Sequence, residues 1–204
     1  MELTEALAAM RAGSQKKNFQ QTIDLIINIK NLDMKKPESR FSKEVTLPHG
    51  TGKAATVCLI SDSHTGYEPR FGKDDIAALE RDKKAAKRFS RQYDFFMCEP
   101  QLMVLVGRVL GRYLGPVGKM PRLLPPAASP ADVAGELARS VRIRVKDSPN
   151  IQCAIGTESM ADEQILDNAR CVIEEIKKAL PAKAQIKNGL LKMTMGKPVK
   201  FTIK

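Results

Sequence analysis

Gly50-Thr-Gly-Lys53 sets two glycines beside a lysine, the residue types that cradle a phosphate. A nucleotide phosphate loop needs G-x-x-x-x-G-K-[ST] between a strand and a helix. Here position 47 is Leu47, position 54 is Ala54, and strand-like sequence follows, so no nucleotide loop is expected. Gly115–Met120, GPVGKM, lacks the same parts. Ser61-Asp-Ser-His64 holds the three residue types of a serine–histidine–aspartate relay within four positions. Such a relay draws its members from separate loops, so a polar turn after a strand is expected instead. His49 and His64 stand alone and do not make a metal site. With no nucleophile beside a base and no paired acids, the chain is expected to have no enzymatic activity, no cofactor and no metal.

The stretch Lys192–Phe201, KMTMGKPVKF, points to different chemistry. Lysine supplies charge to a phosphate. A threonine hydroxyl both donates and accepts, which suits a ribose 2′-OH. Glycine lets another backbone come close, and Pro198 marks a strand end or edge. As one regular strand it would turn Lys192, Thr194 and Gly196 to one face and Met193 and Met195 to the other. That face suits a sugar-phosphate backbone better than base edges. An ordinary edge strand with a bulge at Gly196 fits the same residues.

The balance of charge favours a polyanion. The chain of 204 residues has a formal charge of +11 and a pI near 9.6, which indicates nucleic acid first and an anionic membrane second. Residues 1–54 and 141–204 together hold 21 basic and 13 acidic side chains, +8 of the total. The opening MELTEALAAM has two glutamates and no basic stretch, unlike a signal peptide, and no apolar run approaches the ~18 residues of a membrane span. Cys58, Cys98, Cys153 and Cys171 form no C-x-x-C pair, so they are expected as free thiols in a reducing, cytosolic compartment. No homo-oligomer is expected.

The elements that must position these residues follow from periodicity. Leu3, Leu7 and Met10 define a first helix ended by Gly13. Ile23, Leu25, Ile27 and Ile29 alternate with polar residues in a strand, and a loop over 31–40 leads to a strand stopped by Pro48. From about residue 54 the pattern changes. AATVCLIS and YDFFMCE are nearly continuous apolar strands of the kind covered on both faces. A helix from Asp74 through Gln92 separates them, a helix over QLMVLVGRVLGRYLG follows, and a third starts at Ser129-Pro130. Gly107, Gly111 and Gly115 recur on one helical face and are expected to mark close helix–sheet packing. Alternating strands and helices predict a small parallel α/β unit. After residue 140 come two strands, a helix closed by Pro181 and a last strand. The expected fold is α/β (α+β) in two domains, with 1–54 and 141–204 building one and 55–140 inserted into it.

Several stretches together resemble the L-one family of large-subunit ribosomal proteins, the protein of the mobile stalk beside the tRNA exit site. They are KKNFQQTIDLIINIKNLD, RFSKEVTLPHGTGK, LMVLVGRVLGRYLGPVGKMP, AIGTESMADEQILDNA and TMGKP, in family order, with an archaeal or eukaryotic look in the last. The resemblance implies a split β-α-β domain from the two chain ends and a Rossmann-like three-layer middle domain without a nucleotide. It implies a structural role in the large subunit, binding to stalk-region rRNA and help in releasing deacylated tRNA from the exit site. An alternative is a free protein that represses translation by binding its own mRNA. The RNA contacts it implies are Lys17, Phe19, Gln21 and Thr22 in the first strand region, then Asn188, Lys192, Thr194, Met195, Gly196 and Lys197 near the end. Gln21 replaces a usual glutamate and Asn188 a frequent serine. Lys43 replaces a glycine, and Thr157-Glu158 replaces a basic residue. A bend at Gly196 is expected, because regular alternation would turn Met195 inward.

Overall fold

Alternating apolar residues make Thr22–Lys30 (β1) a strand with one buried face: Ile23, Leu25, Ile27 and Ile29 are buried, while Thr22, Asp24, Ile26 and Asn28 lie half-buried on the other. The computed structural model describes residues 1–15, 17–36, 39–64, 66–126, 128–181 and 183–203, so the loop expected over 31–40 lies partly outside them. Two compact units emerge, Met1–Lys53 with Arg139–Lys204, and Ala54–Ala138.

In the first unit, helix α1 (Leu3–Ala12) starts where Glu5 accepts from the Glu2 N–H at 3.0 Å and ends at Gly13. β1 is followed by Phe41–Thr46 (β2). After the second unit the chain forms Ser140–Val145 (β7), Asn150–Thr157 (β8), Asp162–Ala179 (α6), Gln185–Met193 (β9) and Val199–Phe201 (β10). The sheet has the order β10-β9-β1-β8 and is antiparallel throughout, and β2 pairs with β7 separately. Ala6, Leu7 and Met10 of α1 and Ile165, Ala169, Val172 and Ile176 of α6 join the buried side of β1 in a single core. The leucine, isoleucine, valine and methionine side chains among them each contribute about 1.5–3 kcal/mol by leaving water.

The second unit runs Val57–Ile60 (β3), Arg70–Phe71 (β4), Lys73–Arg81 (α2), Lys83–Gln92 (α3), Phe95–Cys98 (β5), Met103–Val117 (α4), Arg122–Leu123 (β6) and Pro130–Ala138 (α5). Its four strands are parallel in the order β4-β3-β5-β6. Cys58, Ile60, Phe96 and Cys98 face α2, α3 and α4, while Val57, Leu59, Phe95 and Met97 face α5. The unit therefore has three layers, as an α/β sheet apolar on both faces requires.

Three expectations are corrected. The long helix from Asp74 to Gln92 is two helices: Asp82 takes an extended conformation and caps α3, accepting from the Lys84 and Ala85 N–H groups at 2.8 and 3.1 Å. Gly107, Gly111 and Gly115 do not face the sheet; a Cβ at any of them would meet open space. The last strand is not continuous. It stops at Met193, turns through Thr194–Gly196 with the Gly196 N–H donating to the Met193 carbonyl at 3.0 Å, and returns as β10.

Candidate nucleic-acid interface

The start of β1 lies between the ends of β8 and β9, with Thr22 opposite Thr157 and Ile23 opposite Met193. Thr194 adds one more rung. Its N–H donates to the Thr22 carbonyl at 3.1 Å, and its hydroxyl accepts from the Thr22 N–H at 3.1 Å. The turn beyond it hangs on Gln21. The Met195 N–H donates to Gln21 Oε1 at 3.2 Å, and Gln21 Nε2 donates to Ser14 and to the Gln15 carbonyl. With its main chain pinned, Met195 presents its side chain to solvent, 66% exposed. Phe19, two residues before Gln21, is 50% exposed. Lys17 and Lys197 are exposed in the flanking segments.

This geometry reassigns several expected contacts. Gln21 is 1% exposed, so it supports the turn from beneath and offers nothing to a ligand. Met195 faces out because the chain turns at Thr194–Met195, before the bend expected at Gly196. Gly196 is half-buried, and a Cβ there would press on Met193 at 3.2 Å, so the absent side chain serves the turn itself. Asn188 accepts from Asn28 Nδ2 at 2.8 Å across the β1–β9 pair. It shares a face with Lys192, yet it stands six residues from Thr194, roughly 20 Å along an extended strand. Lys43 pairs with Glu175 of α6 at 2.6 Å, which occupies its charge. Thr157 is fully buried.

One residue of this edge is missed by motif reasoning. Lys53, set aside with the phosphate-loop pattern, donates to the Thr22 hydroxyl at 2.9 Å. Its loop is held by Asn168 of α6, which is fully buried. Asn168 accepts from the His49 N–H at 3.1 Å and donates to the carbonyls of Gly50 and Ile155, each at 2.8 Å. Gly50 and Gly52 hold φ of 65° and 72°, and a Cβ at Gly52 would collide with Thr157; glycine alone suits both. Burial raises the Asp24 carboxyl above its usual range, against the pull of Lys192 and Lys53. Lys53, Lys192, Thr22, Thr194 and Met195 thus gather where three strands end.

The Ser61–His64 turn meets Glu99 beyond β5. The Ser61 and Ser63 hydroxyls donate to Glu99 Oε1, and the Asp62 N–H donates to Oε2 at 3.3 Å. Burial works to raise this carboxyl, but these bonds hold it below the usual range. The serines are spent on Glu99, and His64 Nε2 lies 3.9 Å from it, so the cluster clasps a loop and forms no nucleophile–base pair. The described residues contain no group of three or more metal-ligating side chains and no helix long and apolar enough to cross a membrane.

The chain is mixed α/β in two units and gathers lysines, hydroxyls and exposed apolar side chains at one sheet end, a surface that suits a nucleic-acid backbone. Residues 10–197 match the model of the ribosomal protein L1p/L10e family. The large ribosomal subunit protein uL1 of Thermofilum pendens is 42% identical, over 98% of this chain and 92% of that protein. The proteins of the same name from Methanothermobacter thermautotrophicus and Pyrococcus abyssi are 36% and 38% identical, over 98% of this chain and 98% and 94% of theirs. The chain belongs to the ribosomal protein L1p/L10e family.

Proposed function

We propose that the first unit grips large-subunit rRNA of the stalk region through the edge formed by Thr22, Lys53, Lys192 and the Thr194–Gly196 turn, with Phe19, Lys17 and Lys197 beside it. The chain is a structural, rRNA-binding constituent of the large ribosomal subunit and works in the cytoplasm as part of the ribosome, not as an enzyme. The observation that carries the assignment of the edge is the pinned turn. Its main chain is committed to Thr22 and Gln21, so Met195 is held out with little main-chain freedom left to lose on binding. Lysines engage phosphates, and the exposed Phe19 and Met195 offer apolar faces to unstacked bases. Exit-site tRNA, released in its deacylated form, is the second RNA partner in this reading.

Equilibrium binding to a stalk-type looped rRNA hairpin, set against a plain duplex across a salt series, tests it. Preference for the looped RNA that survives at physiological salt is the expected result. Equal affinities that collapse together with salt would reduce the binding to net charge and sink the reading.

A further inference from the structure

Helix α3 carries its charge in a pattern unlike a solvated surface. Its inner side, Ala86, Phe89 and Ser90, is buried, and Phe89 packs edge-on to Phe71 and Tyr93 at 4.8 and 5.6 Å. Every exposed position from 83 to 91 is a cation: Lys83, Lys84, Lys87, Arg88 and Arg91. Lys83, Lys87 and Arg91 make one row at four-residue spacing, and Lys84 and Arg88 a second beside it. Among the described residues, none of these five side chains has an acidic partner.

This arrangement opposes the helix that bears it. The pairs 83/87, 87/91 and 84/88 set like charges at the spacing where opposite charges would stabilise. Lys83 and Lys84 stand in the first turn, at the positive end of the helix dipole, where no acid lies within the turn and the single Asp82 cap faces two cations. The helix is held by its Asp82 cap and its aromatic packing instead. Local rules broken together on a well-anchored element mark a surface shaped by binding.

We propose that α3 is a second RNA-binding surface, which holds a phosphate backbone along two rows of cations. Each row steps by about 6 Å per four residues, so it follows successive phosphates of a strand rather than one small anion. No amide or aromatic side chain stands between the cations, so the contact is with the backbone and not with base edges. The choice of RNA among polyanions rests on the ribosomal reading above; the surface rests on α3 alone.

The test uses the full chain and its K83Q/K84Q/K87Q/R88Q/R91Q variant, each first saturated with the looped hairpin and then titrated with a labelled plain RNA duplex. Wild type should bind the duplex while loaded. The variant should keep its hairpin affinity within about twofold, bind the duplex at least about tenfold more weakly, and show a salt slope shallower by roughly 4 to 5, about 0.9 for each cation removed. Its melting midpoint should hold or rise, because repulsion is removed. Lys87→Glu alone should weaken duplex binding several-fold, a check that does not depend on the fivefold variant folding. Unchanged duplex affinity and slope in both variants would overturn the proposal, and so would equal loss of hairpin and duplex. Competition by polyglutamate as effective as by duplex would assign the surface to an acidic protein and overturn it too. Absence of hairpin binding by wild type would count against the first unit's role only, since the duplex comparison needs no hairpin.

Discussion

Phe19 and Met195 are large apolar side chains turned to water, outside the buried core of the first unit. Neither supports the core, so removing either should cost binding and not stability. Phe19→Ala should weaken binding to the looped rRNA by about 1–3 kcal/mol with an unchanged melting midpoint, as read by fluorescence titration and thermal denaturation. A matching drop in melting temperature would make Phe19 a packing residue. Asp24 is a local brake on the same edge. Burial raises its pKa, so its anion is disfavoured in the fold. Its contribution to stability is fully present when it is protonated and falls as pH rises through the raised value. Asp24→Asn should therefore flatten the stability profile through the weakly acidic range. It should also tighten RNA binding at neutral pH by on the order of threefold, because Lys192 and Lys53 lose a competing anion. Weaker binding by the variant would show that the carboxylate itself accepts from RNA.

At the scale of elements, two contacts hold the edge together. Asn168 joins α6, β8 and the loop that carries Lys53 through three hydrogen bonds. Asn168→Asp replaces a donor that serves two carbonyls with an acceptor, and should cost about 2–4 kcal/mol in chemical denaturation. RNA binding should weaken as Lys53 is released. The β9–β10 hairpin depends on Gly189, opposite Phe201. A Cβ there would overlap the Phe201 ring, which is 1% exposed and has little room to move. Gly189→Ala should destabilise the first unit by about 1–3 kcal/mol and loosen β10, seen as faster amide exchange over Val199–Phe201. Unchanged exchange there would mean that the ring is accommodated elsewhere.

At the scale of the molecule, separate cores imply that the units can be followed separately. Cys58 and Cys98 are buried in the second unit and Cys153 in the first, and burial pushes all three thiols up to about 12. They are protonated and shielded at neutral pH, so alkylation should wait for opening. Cys171, partly exposed on α6, should react first. Under rising denaturant, labelling of Cys153 should track the first unit and labelling of Cys58 and Cys98 the second, as resolved by mass spectrometry of peptides. Saturating hairpin RNA should delay Cys153 alone. Equal protection of all three would require the units to unfold as one.

Much of this was legible in the residues. The period of two in Thr22–Lys30 and the doubly apolar runs of β3 and β5 specify strands with one and two covered faces, because side-chain alternation and burial act locally. Gly13 and Pro181 mark helix ends for equally local reasons. The Thr-Met-Gly-Lys-Pro run pointed by residue type to a sugar-phosphate contact, while an ordinary edge strand fitted the same residues. What depended on partners distant in the chain was not legible. KMTMGKPVKF has a strand's composition, and only the pairing of Phe201 with Gly189 and the hold of Gln21 on Met195 make it a hairpin. Burial of Gln21, service of Lys53 to Thr22 and the clasp of Asn168 on Gly50 join residues 31 to 174 positions apart. Short-range preference thus determined which elements form and which chemistry they carry. The tertiary structure decided which of those side chains reach solvent together, because that is settled by packing between segments no local rule connects.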